Sequence, residues 1–256
     1  MVRLATTLLL AFLVIGPAMA AYRAERSLAR DPADGRLLYV EEHALRFNAE
    51  GGLLERHVLY RCADGTAFAR KRVDYRPDAE APDFELQDAR SGYREGLRSV
   101  SGGREAFVQR PGDAERATRL RPGPLVADAG FDVWVRRAWP RLLAGERLRV
   151  DFLVPSRRAV YAFDVQALAS APATDEPRFR LRLGGWLGWF APYIDVTYTG
   201  AERRLLRFEG LSNLRDDRGQ RPLVVRIDFP EPATASDAAA FAALQAEPLR
   251  ACRVSG

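Results

Sequence analysis

Two histidines, His43 and His57, flank a hairpin turn predicted at Asn48–Gly52. Directly opposed across an antiparallel pair, their Cβ atoms would stand about 5 Å apart. With Glu41 or Glu55 beside them they could then share a metal ion. The apolar pattern selects another register. Tyr39, Leu45 and Phe47 occupy odd positions of the first strand, and Leu54, Val58 and Tyr60 occupy even positions of the second. Both sets reach one core only if odd pairs with even, which turns His43 inward and His57 to the opposite face. The expectation is a hydrogen-bonded His43 and no metal site.

Other candidate chemistry is weaker. Gly210-Leu211-Ser212-Asn213-Leu214 has the outline of a nucleophile elbow but lacks its second glycine, and a hairpin follows it instead of a helix. Asp216-Asp217-Arg218-Gly219 reads as the polar turn of that hairpin. The carboxylate pairs Glu41/Glu42 and Asp128/Asp132 carry no distinguishing context. No catalytic residue and no cofactor is therefore assigned, and a non-catalytic protein is expected.

Cys62 and Cys252 are the only cysteines. In an oxidising compartment they form a disulfide candidate that would close most of the chain into one loop, a constraint contributing about 5 kcal/mol in the chain-entropy model. Such a compartment is implied by the amino terminus. Arg3 precedes an apolar run from Leu8 to Ile15, Gly16-Pro17 breaks it, and Ala18-Met19-Ala20 offers small residues for cleavage before Ala21. The run is shorter than the roughly 20 residues that a membrane span needs. An exported, periplasmic protein with residues 1–20 removed is expected.

A formal charge of +5 invites a nucleic-acid reading. Of the 39 basic residues, however, only Lys71 is a lysine, and the arginines are interleaved with 34 acids instead of gathering in a block. That is the usage of an arginine-rich, GC-biased chain, and nucleic acid is not an expected partner.

These residues need elements to position them. From Arg36 to Arg110 short alternating runs separated by turn residues predict an antiparallel meander. Leu54, Arg56, Val58, Tyr60 and Cys62 share a face of its second strand. A helix is predicted over Asp128–Leu143, where Phe131, Trp134, Val135, Ala138 and Leu142 form one stripe, with a kink or break near Trp139 imposed by Pro140. Strands resume from Glu146 to Phe229, with error-free alternation over Arg178–Leu183, and a short carboxy-terminal helix capped by Ser236 ends near Ala246. The mature chain, 21–256, reads as a single β-rich domain with a sub-boundary candidate at 111–124. Its fold class is mainly β (α+β): a curved antiparallel sheet or half-barrel with the amphipathic helix against its concave side.

Pro82-Asp83-Phe84, Gly92-Tyr93-Arg94-Glu95-Gly96, Asp128-Ala129-Gly130-Phe131-Asp132, Val154-Pro155-Ser156 and Phe208-Glu209-Gly210-Leu211-Ser212-Asn213 resemble segments of a family of exported bacterial proteins of unknown function. The order of elements is also similar to the half-barrel of periplasmic lipoprotein carriers. Neither resemblance implies catalytic residues. The architecture implies a binder or chaperone of a hydrophobic ligand, such as an acyl chain, a lipid or a lipidated protein, with Phe131, Trp134 and Leu142 of the helix touching it. The alternative is an envelope module that meets a membrane or protein partner through Trp186, Trp189 and Phe190, beside the basic row Arg178, Arg180 and Arg182.

Overall fold

The computed structural model describes residues 21–169, 175–185 and 193–254. Among them are fifteen strands and two α-helices. The first eight strands are β1 (Ala21–Arg30), β2 (Leu37–Phe47), β3 (Leu53–Arg61), β4 (Ala67–Asp74), β5 (Asp83–Asp88), β6 (Tyr93–Val100), β7 (Gly103–Gln109) and β8 (Arg116–Arg119). Helix α1 (Gly130–Leu143) follows, then β9 (Leu148–Val154), a 3-10 turn at Pro155–Arg157, β10 (Ala159–Leu168), β11 (Arg178–Leu183), β12 (Ile194–Tyr198), β13 (Leu205–Arg215), β14 (Pro222–Asp228), β15 (Thr234–Ser236) and α2 (Ala238–Ala246).

Strands β1–β8 and β9–β14 are two antiparallel meanders, and β1 pairs with β14 to join them into one sheet with β8 and β9 at its edges. The sheet curls without closing. Leu153 of β9 packs with Val73, Phe84, Leu97 and Ala106 of the first meander, and the 3-10 turn lies against β6 and β7. The chain crosses from one edge to the other through residues 120–129, where Val126 forms an isolated parallel bridge with Phe152 of β9. Curling lets the two meanders bury one shared concave face, which a flat sheet of this width would leave open to water.

Helix α1 fills the concavity. Its stripe of Phe131, Trp134, Val135, Ala138 and Leu142 is buried with Trp139 against Val150, Val165, Phe179, Leu181, Val196 and Tyr198. The Trp139 ring meets Phe179 and Tyr198 edge-on, at 5.2 and 5.5 Å between centroids. Each such buried side chain contributes roughly 1.5–3 kcal/mol. The predicted break at Pro140 does not occur, and the helix runs on to Leu143. The carbonyl that proline leaves without its usual donor, that of Arg136, instead accepts from Nη1 of Arg203 at 3.4 Å.

Two strands go beyond the sequence reading, and one expected helix cap is corrected. The segment Ala21–Arg30, unassigned in the sequence, is a ten-residue strand, and its inward side chains Glu25, Ser27 and Ala29 are too polar or small to show an apolar alternation. Part of the Pro111–Pro124 stretch is β8, which pairs with β7 and extends the sheet. The cap of the last helix is Asp237, whose Oδ1 accepts from Ala240 N at 2.8 Å, because Ser236 is held in β15 opposite Tyr22. Helix α2 lies on the convex face, with Phe241 buried against Tyr22 and His57. Beyond it the tail is tied by the Cys62–Cys252 disulfide, and Val254 is buried with Tyr39, Phe68 and Leu214.

Candidate functional site

The register of the first meander brings Glu25, His43, Val58, Lys71, Leu86, Glu95 and Val108 into one row across the concave face. Four of these seven are ionisable, an unusual wall for an interior. The facing second meander supplies Leu181, Ile194, Val196, Leu205 and Phe208. Between the two walls and α1 lies a cavity of about 250 Å³. Its polar side is built by Glu41, His43, Arg56, Lys71, Asp128 and Asn213. Arg136, exposed on α1, stands at its rim.

Lys71, the single lysine, is paired with Asp128 at 2.9 Å, and Asn213 Nδ2 donates to the same carboxylate at 2.7 Å. Asp128 holds a left-handed backbone with φ of 45°, costly for a residue with a side chain. Its neighbours fix that turn: Ala127 N donates to Glu80 O, and a Cβ at Gly130 would stand 2.0 Å from the same carbonyl. Asn213 is brought inward by the register shift of β13 between Leu211 and Arg215. One contact set thus joins the first meander, the crossover and the second meander. Pro82 packs under Gly130 beside this turn.

Beside this contact lies a second cluster. Ser27 Oγ donates to Glu41 Oε2 at 2.7 Å, and His43 Nε2 lies 3.1 Å from the same oxygen. Burial works to raise the Glu41 pKa, but the His43 and Ser27 hydrogen bonds outweigh it and hold the carboxylate below its usual range. A carboxylate only accepts, so His43 donates through Nε2. Ser27, Glu41 and His43 are three residue types of a hydrolase triad in the wrong order. A triad needs serine on one ring nitrogen and acid on the other, whereas both meet Nε2 here and Nδ1 is buried without a partner. Ser212 is equally committed, sharing a hydrogen bond with Tyr39 Oη at 3.2 Å and accepting from Leu214 N.

Deeper in the row, Tyr93 Oη donates to Glu95 Oε2 at 2.6 Å. Desolvation nevertheless dominates and raises the Glu95 pKa to about 7. Arg56 is the remaining cation on this wall. Its Nε is fully buried without an acceptor, and the guanidinium makes no hydrogen bond or ion pair among the described residues. Burial opposes its charge, while Tyr75, Glu25, Asp132 and Asp128 together hold its pKa above the ordinary value.

The histidines occupy opposite faces as the apolar pattern requires: His43 pairs with Val58 and Ala44 with His57. His57 accepts from Gln245 Nε2 at 2.9 Å and anchors α2, its pKa lowered to about 4 by desolvation. Among the described residues no group of three His, Cys, Asp or Glu is placed to hold a metal. Of the helix residues expected at a ligand, Phe131 lines the cavity, whereas Trp134 and Leu142 sit in the helix–sheet core. Trp186, Trp189 and Phe190 lie outside the described residues. The neighbouring basic row is not bare, since Arg180 pairs with Asp195 at 2.7 Å and Arg178 reaches the same carboxylate.

Sequence reasoning did not assemble Lys71, Asp128, Asn213 and Arg56 into a site. Two signals were present: charges at positions of the apolar alternation, as with Glu41, His43 and Arg56, and a lone lysine in an arginine-rich chain. Compared with protein-family models, curated proteins and solved structures, the chain matches none.

Proposed function

We propose that this protein binds a small amphiphilic molecule inside its curved sheet and carries it without transforming it. The observation that supports this reading is the two-sided cavity, with an apolar wall from the second meander and a polar wall holding buried, unpartnered atoms of His43 and Arg56. Buried polar atoms left unpaired are costly, so a wall that keeps them suits an occupant that can pair with them. A cavity of 150 Å³ accepts benzene, which scales the present one to about ten heavy atoms, the size of a single short acyl chain. A multiply acylated protein would need a larger space, so a small molecule is preferred as ligand. Export to an oxidising, periplasmic compartment belongs to the same reading, and the Cys62–Cys252 disulfide suits that compartment. The test is native mass spectrometry of protein purified without detergent, followed by denaturation and analysis of what is released. A retained amphiphile of that size is expected; a mass equal to the bare chain, together with unchanged tryptophan fluorescence on adding short-chain fatty acids, refutes the reading.

A further inference from the structure

The carboxylates on the cavity wall are largely engaged. Glu41 accepts from Ser27 and His43, Asp128 from Lys71 and Asn213, and Asp132 is paired with Arg136 at 3.0 Å. Arg204 spends Nη1 on the carbonyl of Phe229. Arg56 differs from all of these: it sits at an apolar position of β3 between Leu54 and Val58, its Nε is buried, and no acceptor among the described residues meets it. Glu25, Asp128 and Asp132 favour its charge from a distance, but none of them takes up its donors, so the fork is left to receive an anion. Its planar fork of donors matches a carboxylate in two parallel hydrogen bonds, which neither an alcohol nor an amine can supply. The cavity also places the apolar side chains of Phe131 and Phe152 beyond the polar wall, where the tail of the same molecule would lie.

We infer that Arg56 is the receptor for the head group of the bound amphiphile and that this head group is a carboxylate, the ligand class being a short-chain monocarboxylic acid. This rests on the cavity-binding reading above. Glu25, which also lines the cavity and has no ion-pair partner among the described residues, adds a nearby negative charge that disfavours a doubly charged head such as a phosphate monoester.

The test compares octanoate, 1-octanol and octylamine by titration calorimetry on the full chain at neutral pH, with wild type, Arg56→Gln and Arg56→Lys. Wild type is expected to bind octanoate at least tenfold tighter than octanol. Arg56→Gln should lose that preference while keeping its affinity for octanol, and Arg56→Lys should recover only part of it, because a point charge replaces the fork. The inference is overturned if octanol or octylamine binds wild type as tightly as octanoate, or if Arg56→Gln leaves octanoate binding unchanged. Should none of the three probes bind wild type, the cavity-binding reading fails and the head-group assignment falls with it.

Discussion

Replacing Glu95 by glutamine tests whether the ionisable row is held in a desolvated interior. In the folded chain the Glu95 carboxyl titrates near 7 instead of 4.5, chiefly because burial penalises its charged form. The folded state therefore holds this proton more tightly than the unfolded state. The resulting stability is fully present below pH 4.5 and is lost as pH rises through about 7. Integrated from pH 5 to pH 8, the loss is roughly 2–3 kcal/mol. The wild-type profile alone would hide it, because His57 runs the other way: its pKa is depressed to about 4, so its contribution is present above 6.5 and lost as pH falls through 4. Subtracting the variant from wild type cancels His57. Glutamine keeps an acceptor for Tyr93 Oη, and whatever its added amide costs does not depend on pH. Urea unfolding of both proteins, followed by tryptophan fluorescence at pH 5 and pH 8, should show Glu95→Gln gaining roughly 2–3 kcal/mol on wild type over that interval. A difference between the two proteins that stays constant from pH 5 to pH 8 would refute the desolvated row.

Reducing the Cys62–Cys252 disulfide, which spans 190 residues, should lower stability by about 5 kcal/mol in the chain-entropy model, measured as urea midpoints with and without reductant. Arg90 is buried with Asp88 at 2.6 Å and reaches Asp217 at 2.8 Å, so Arg90→Ala should cost about 3–5 kcal/mol by stranding a buried carboxylate, read from the same unfolding curves. Intact mass of protein from cells should begin at Ala21; retention of residues 1–20 would sink the export proposal.

The sequence alone determined the class of fold, because alternation has a period of two and the core needs one consistent face. That rule required odd positions of β2 to pair with even positions of β3, as they do, and so separated His43 from His57. It also fixed the Arg178–Leu183 strand, where Phe179 and Leu181 are fully buried, and the stripe of α1. The same rule failed at β1, where the inward residues are Glu25, Ser27 and Ala29 and there is no apolar alternation to read. The site was illegible for a different reason. Lys71, Asp128 and Asn213 lie on a strand, a crossover and a bulge far apart in the chain, and only the curl of the sheet and the left-handed turn at Asp128 bring them together. Whether Arg56 has a partner is likewise a property of the folded interior: local pattern says which face a residue takes, but the groups it meets there come from strands that the sequence orders only along a line.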